Sequence, residues 1–220
     1  MPWTPQTQRS HFEYGAGSWS QYYWDHNNNP GATFQLCLAN CTTFAYGRPL
    51  ENGWPKPVTA FRNANNWHNY VNTADGWVLL NYTSGMQLLA GDIVEWQAQH
   101  VAVVEEDGTN PHIGGSWYTD DNGHAYGNRT AAVIGGSTMQ DVSNWCVANY
   151  PNRFYHYVLL STENNNAGGH AEPRYVLRYQ GTQPDPPVPP TADITEIVVF
   201  GKIIKERKGV NINVSIYKPE

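Results

Sequence analysis

"LANCTTFAYGR" (residues 38–48) combines the start of a helix with a cysteine, and this combination decides the predicted fold around it. Asn40 is a good N-cap residue, and Gly47 is typical of the position at which a helix stops. Cys41 is therefore expected in the first helical turn, where the helix dipole and unpaired amide groups favour a thiolate. Cysteine is also among the most often buried residue types, so a structural cysteine is the alternative. The segment predicts a helix that carries either a nucleophile or a core residue.

A second helix is predicted downstream, over residues 58–71. Pro57 stands at its start, and apolar side chains recur on one face that should pack inward: Ala60, Phe61, Ala64, Trp67 and Tyr70. The segments after it have the composition of β-strands separated by turns: "WVLLNY", "DIVEWQ", "HVAVVEED", "HIGGSWYT", "AAVIGG" and "FYHYVLLS". Because strands follow helices, the sequence predicts an α+β domain with an antiparallel sheet.

The C-terminal part of the chain has a different composition. "GTQPDPPVPPT" (residues 181–191) holds five prolines and is expected to be a semi-rigid, extended linker. Apolar and polar residues alternate over residues 210–216, which predicts a small β-hairpin unit over residues 192–220. A lone hairpin is marginally stable, so this unit is expected to serve assembly or anchoring. The predicted organisation is a main domain over residues 1–180, the linker and the hairpin unit.

Composition and charge exclude several classes of function. The net charge is −6 and the isoelectric point about 5.7, so neither nucleic acid nor a membrane surface is expected as a partner. The start, "MPWTPQTQRS", lacks the features of a signal peptide, and no apolar run is long enough to cross a membrane. A soluble protein is therefore expected. The odd number of cysteines leaves at least one thiol outside any disulfide within the chain.

A cysteine nucleophile needs a base, and His100 is the best placed of the eight histidines. It opens the predicted strand "HVAVV", where a side chain can be held rigidly at the edge of a sheet. Cys37 competes with Cys41 as the nucleophile, whereas Cys146 is expected to be a core residue. The predicted catalytic pair is therefore Cys41 and His100.

The sequence motifs around this pair resemble those of a known family. "NCTTFAYGR" (residues 40–48) is followed by "LLAGDIVEWQAQHVAVVEE" (residues 88–106). The chain thereby resembles the CHAP family (cysteine, histidine-dependent amidohydrolase/peptidase), in which "NCT" or "QCT" precedes "GDI", a tryptophan and "HVAIV". The order of these motifs and the spacing between them match the family pattern, and the resemblance covers about residues 20–160.

The resemblance implies a papain-like (NlpC/P60-like) core, in which N-terminal helices pack on an antiparallel sheet. Cys41 would attack an amide carbonyl of bacterial peptidoglycan, and His100 would accept and return the proton. The enzyme would be an N-acetylmuramoyl-L-alanine amidase or an endopeptidase that requires no cofactor. The Cys41 backbone N–H and the Asn40 side chain would hold the oxyanion. Aromatic residues near the site are predicted to contact substrate, with packing in the core as the alternative: Trp96, Trp117 and Tyr118.

The residue that orients the histidine departs from the family pattern. Relatives place Glu or Asn on the strand after "HVAIV", where this chain has "HIGGSW" with Gly114 and Ser116. Ser116 is therefore the predicted third member. A serine accepts a hydrogen bond from an imidazole but cannot balance its charge, so Asp120 or Asp121 is an alternative.

The sequence contains two candidate metal sites. "DHNNNPG" places Asp25, Asn27 and Asn29 at alternating positions before a glycine, loosely as in a calcium loop, and some CHAP domains bind Ca²⁺ just upstream of the nucleophile. A simple Asn-rich turn is the alternative. Zinc would have to draw on scattered residues without a compact ligand pair: His100, His112, His124 and Cys37 or Cys41.

The biological setting implied is that of a phage endolysin or a virion-associated lysin. Such a protein would act from the host cytoplasm on the cell wall, or be carried in the virion. Its partners would be peptidoglycan and, through residues 192–220, phage tail or virion proteins or other copies of the chain. The alternative is a non-catalytic module with a degenerate CHAP fold, which binds wall glycan or has a structural role in the tail.

Overall fold

A computed structural model describes residues 3–31, 41–97, 100–115, 155–166 and 172–181, together with positions 140, 141, 144 and 148. The chain divides into two units, residues 1–183 and residues 184–220. All structural statements below concern the first unit. The predicted strand "AAVIGG", the linker beyond Gly181 and the hairpin unit lie outside the described residues, so they stay predictions.

The centre of the first unit is a six-stranded sheet in which every neighbouring pair is antiparallel. Its order is β1-β6-β2-β3-β4-β5. The strands are β1 (Trp77–Asn81), β2 (Ile93–Trp96), β3 (His100–Val104), β4 (His112–Gly115), β5 (His156–Leu159) and β6 (Tyr175–Tyr179). The α-helices are α1 (Gln21–Trp24), α2 (Cys41–Glu51) and α3 (Leu160–Asn166), and short 3₁₀ helices cover Arg9–Phe12, Ser18–Ser20, Ala64–Asn69 and Thr73–Asp75. The predicted combination of helices with an antiparallel sheet is confirmed.

Strand β6 was not predicted, although it lies inside the sheet. It pairs with β1 on one side and β2 on the other, and Val176 and Leu177 are fully buried. Tyrosine and arginine flank these two residues, so the segment shows little of the apolar character that marks an interior strand. The sheet therefore includes a strand well beyond residue 160.

Alternation along the strands builds an apolar core on each face of the sheet. One core joins β-strand residues to α1 and α2, and includes Ile93, Val101, Val103, Leu177, Phe44 and Ala45. The other joins the alternate residues to α3, and includes Val94, Ala102, Val104, Val176, Ile113 and Leu160. No helix in the described part of the chain has the length and apolar character needed to span a membrane.

Helix α2 is longer than predicted, because it does not stop at Gly47. It runs from Cys41 to Glu51 and includes Pro49. A Cβ atom at position 47 would lie 2.6 Å from the Tyr22 carbonyl oxygen and 2.7 Å from the Tyr23 ring. Gly47 is thus needed for the close approach of α1 to α2, and the prediction that it ends the helix is wrong.

The predicted helix over residues 58–71 is also wrong. Only Ala64–Asn69 is helical, as a 3₁₀ helix, while Val58 and Val71 pair as an antiparallel bridge. The asparagines in this segment favour turns over helix interiors, and valine favours extended structure. The inward face is partly as expected, since Ala64 and Trp67 are buried.

A buried charge network attaches α2 to the end of β3. The Arg48 side chain is fully buried and donates to both Glu105 carboxylate oxygens, at 3.0 and 2.8 Å, and to Glu51 Oε2 at 3.0 Å. The Trp3 indole N–H donates to Glu105 as well, at 3.0 Å. Because α2 begins with Cys41 and β3 begins with His100, this network helps to fix the two relative to each other.

Candidate active site

Cys41 and His100, the predicted pair, lie together in the structure. Cys41 is the first residue of α2 and His100 the first residue of β3, and the helix packs against this strand. Both side chains are buried, and the Cys41 thiol forms a hydrogen bond with the His100 imidazole. Burial of a thiol against an imidazole is the arrangement in which the imidazole can take the thiol proton.

A carboxylate that was not predicted contacts the other side of this pair. Glu163, in the first turn of α3, has its Oε1 atom 2.6 Å from His100 Nε2. Its side chain is fully buried. Since Nε2 faces Glu163, Nδ1 is left as the nitrogen that serves Cys41. The three side chains therefore form a continuous row, thiol to imidazole to carboxylate.

A second histidine contacts the same carboxylate oxygen. His156, the first residue of β5, has its Nε2 atom 3.4 Å from Glu163 Oε1, and its side chain is buried. The centroids of the His156 and His100 rings are 6.5 Å apart. Glu163 thus lies between two histidines that come from β3 and β5.

The electrostatics of the row favour a protonated imidazole beside an ionised carboxylate. Burial works against the charged form of His100, but the contacts and charges of Cys41 and Glu163 outweigh it and raise the pKa of His100 to about 10. Burial likewise opposes the ionised form of Glu163, but the ion-pair contacts with the His100 and His156 imidazoles outweigh it and lower the pKa of Glu163 well below the ordinary value. At neutral pH, His100 therefore carries a proton and Glu163 a negative charge.

Trp96 does not have the position expected of a substrate contact. Its side chain is only 1 % exposed, and its ring centroid lies 5.1 Å from that of His100. The indole N–H donates to Asn164 Oδ1 at 3.0 Å. Trp96 therefore packs behind His100 and ties it to α3, which corrects the prediction that it contacts substrate.

Several predicted residues lie outside the described part of the chain, and their roles stay predictions. They are the third member Ser116 with its alternatives Asp120 and Asp121, the oxyanion residue Asn40, the aromatics Trp117 and Tyr118, and the cysteines Cys37 and Cys146. The glycine pair of β4 is described, however. A Cβ atom at Gly114 would lie 2.8 Å from Glu105 Oε1, and one at Gly115 would lie 3.1 Å from His156 Nε2. The strand has little room for a longer side chain at these positions, and α3 supplies a carboxylate in its place.

No local sequence signal pointed to Glu163. It stands in "LLSTENNN", where a single acidic residue near a helix start is a common and exposed feature. Only the return of the chain through β5 into α3 brings it to His100.

The predicted calcium loop has the contacts of an Asn-rich turn. The Asp25 carboxylate accepts hydrogen bonds from the backbone and side-chain N–H groups of Asn27, at 2.9 and 3.0 Å. Asn29 is fully buried, and its amide donates to the carbonyl oxygens of Tyr22 and Thr43. Asn29 therefore fixes the turn to α1 and α2, and these contacts give no support to a calcium site.

The buried trio His100, His156 and Glu163 has ligand atoms within 4.8 Å of one another, as a metal site would require. Two ligands of a tetrahedral zinc ion would be about 3.3 Å apart, given bonds of about 2.0–2.1 Å. The 2.6 Å between His100 Nε2 and Glu163 Oε1 is shorter than this and is the distance of a direct ion-pair contact. Of the other histidines in the candidate zinc set, His112 contacts Glu106 at 2.6 Å and is not part of this trio, while His124 lies outside the described residues.

Comparison with known proteins gives one match. The searches of curated proteins and of solved structures returned no significant similarity. The family model of the CHAP domain matches residues 31–119, a segment that contains Cys41 and His100 but neither His156 nor Glu163. The resemblance predicted from the sequence is therefore confirmed over residues 31–119, which match the model of the CHAP domain.

Proposed function

We propose that this protein is a peptidoglycan hydrolase in which Cys41 is the nucleophile, His100 the general base and acid, and Glu163 the carboxylate that orients His100. A CHAP domain indicates hydrolysis of amide bonds in peptidoglycan, generally by cysteine and histidine. The observation that carries the proposal is the continuous row of thiol, imidazole and carboxylate, with 2.6 Å between His100 Nε2 and Glu163 Oε1. The position of the cysteine, at the start of a helix packed on a strand that begins with histidine, also supports a papain-like core.

The reaction divides into two steps. The Cys41 sulfur attacks the carbonyl carbon of the amide, and its proton resides on His100. His100 then gives this proton to the departing amine nitrogen, the C–N bond breaks, and an acyl-thioester remains on Cys41. In the second step His100 takes a proton from water, the resulting hydroxide attacks the thioester, and the carboxylic acid leaves as the sulfur regains its proton.

The first turn of α2 can stabilise the negative charge that develops on the carbonyl oxygen of the substrate. The backbone N–H groups at a helix start have no partner within the helix, so they can donate to an oxyanion. The Cys41 N–H is the nearest such donor to its own sulfur. We propose the Asn40 side chain as a second donor, which would contribute on the order of 10²–10³ in rate, as is usual for one oxyanion donor.

Glu163 orients His100 and balances its charge. A carboxylate that accepts from Nε2 holds the imidazole in the tautomer that leaves Nδ1 for the thiol. It also stabilises the imidazolium, in agreement with the raised pKa of His100. Ser116 could accept the same hydrogen bond but not balance the charge, so we favour Glu163 over Ser116 for this role.

The finer parts of the proposal concern substrate and setting. Either the bond between muramic acid and L-Ala or a peptide bond of the stem or cross-bridge would be cut, and Trp117 and Tyr118 would contact the wall. We propose a phage lysin, free or carried in the virion, with residues 192–220 as the docking segment for tail proteins or other copies. The mechanism needs no metal or other cofactor.

The test is hydrolysis of purified cell walls from a panel of bacteria by the protein and its Cys41→Ala variant. Turbidity would report clearing, and mass spectrometry of the new ends would identify the bond. We expect clearing that is lost in the variant. Wall binding without hydrolysis by either protein would favour the alternative of a non-catalytic glycan-binding or structural module.

A further inference from the structure

A fourth buried side chain completes the candidate site on the side away from Cys41. His156 Nε2 and His100 Nε2 approach the same oxygen, Glu163 Oε1, at 3.4 and 2.6 Å. The two histidines come from different strands of the sheet, and Glu163 comes from the helix that directly follows β5. A carboxylate on a flexible side chain would otherwise be free to rotate away from His100.

The glycine at the end of β4 makes room for this histidine. Gly115 pairs with His156 in the β4–β5 ladder, and a Cβ atom at position 115 would lie only 3.1 Å from His156 Nε2. Any other residue at 115 would therefore press on the nitrogen that faces Glu163. The sequence "HIGGSW", which has Gly114 and Ser116 where relatives have Glu and Asn, also has at position 115 the glycine that leaves space for His156.

We propose that His156 is a positioning residue, which holds the Glu163 carboxylate in the orientation that fixes His100. This inference rests on the proposed function. Within the described residues, the titratable groups that face Glu163 are His100 from β3 and His156 from β5, and Cys41 from α2 acts on it through His100. The effect of His156 would reach Cys41 by way of Glu163 and His100.

The experiment follows the reactivity of the Cys41 thiol, with no cell wall present. Full-length protein is treated with iodoacetamide over a range of pH, and alkylation of the peptide that contains Cys41 is followed by mass spectrometry. The variants are His156→Leu, which removes the donor, and His156→Gln, which keeps an N–H donor. His112→Gln is the matched control, because His112 also contacts a glutamate, Glu106, but is partly exposed and remote from the row.

Loss of His156 should disturb the pair through Glu163. In His156→Leu we expect the midpoint of the pH profile of Cys41 alkylation to rise by about one pH unit. At a fixed pH below the midpoint, this equals a tenfold lower rate of alkylation. His156→Gln should restore most of the shift, and His112→Gln should match the wild type. Wall hydrolysis, where found, should show the same order, with kcat affected more than KM.

Three outcomes would overturn the inference. The first is a folded His156→Leu variant with the wild-type profile, and the second is a loss of thermal stability in both His156 variants with no change of profile. The third is a shift that depends on added Zn²⁺ or a chelator, which would assign the trio to a metal. A shifted profile in a protein that hydrolyses no cell wall would uphold the role of His156 and refute the proposed substrate.

Discussion

Glu163 Oε1 lies 2.6 Å from His100 Nε2, although the two residues belong to different structural elements and only His100 falls within the CHAP match. The contact joins helix α3, which lies outside the CHAP match, to the strand that carries the candidate base. It gives His100 a charged partner, which Gly114 on β4 cannot supply at the position where relatives have an orienting side chain. The predictions below follow from this contact and from the packing that supports it.

Removing the charge of Glu163 should weaken the candidate site without dismantling it. Glu163→Gln keeps a hydrogen-bond acceptor for His100 but no longer stabilises the imidazolium. We expect a loss of roughly tenfold in kcat, equivalent to about one pKa unit of stabilisation, and a shift of the alkaline limb of the pH–rate profile to lower pH. Glu106→Gln is the control, because this carboxylate is exposed and pairs with His112, outside the row, so the profile should stay unchanged. An unchanged profile in Glu163→Gln would refute the orienting role.

Protein stability should depend on pH through His100. The pKa of His100 is raised from 6.5 to about 10, so its contribution is fully present below about pH 6.5 and is lost as the pH rises through 10. The difference in unfolding free energy between wild type and His100→Gln should therefore shrink from pH 6 to pH 10. Urea unfolding at several pH values measures it. A difference that stays constant over this range would contradict the assignment.

The Arg48 network should be a major source of stability. Arg48→Met leaves the buried Glu105 carboxylate, and the partly buried Glu51 carboxylate, without the Arg48 guanidinium, and breaking a buried pair in this way costs about 3–5 kcal/mol. Arg9→Met is the matched control, because Arg9 forms a partly exposed pair with Glu13, and pairs near the surface are worth at most about 1 kcal/mol. Urea unfolding of the two variants should separate them clearly. Equal effects would show that the buried network is not important for stability.

Gly47 should not tolerate a side chain, although it lies within a helix. Alanine normally stabilises a helix by about 1 kcal/mol relative to glycine. At this position its Cβ would collide with the Tyr22 carbonyl oxygen, and such overpacking costs about 1–3 kcal/mol. We expect Gly47→Ala to lower the melting temperature, whereas Gly108→Ala, whose Cβ would meet ordinary contacts at 3.6 Å or more, should not. A more stable Gly47→Ala variant would contradict the observed packing of α1 on α2.

The sequence predicted those features whose signals are local. Asn40-Cys41 marked the start of α2, and "HVAVV" marked a strand that begins with His100. The predicted features that failed depend on tertiary packing. Glycine is typical of a helix end, but Gly47 lies within α2, where it is required for the contact with α1.

Other features depend on contacts that no local pattern encodes. The apolar residues of segment 58–71 have the spacing of a helix. The segment instead forms a short 3₁₀ helix between two residues that pair as a β-bridge. Glu163 and His156 were missed because their role exists only once β5 and α3 return to β3. The glycines of β4 depart from the family pattern in the sequence. Only the structure shows that the absence of a side chain at Gly115 leaves space for His156.

The most direct test of the central claim is to trap the acyl-enzyme. Wild type and Cys41→Ala are mixed with a sensitive cell-wall fragment, quenched in acid within the first turnovers and digested for mass spectrometry. The account predicts a thioester adduct on the Cys41 peptide of the wild type, whose mass identifies the acyl side of the cleaved bond, and no hydrolysis by the variant. Hydrolysis that persists in Cys41→Ala, or turnover with an adduct on Cys37 instead, would contradict it.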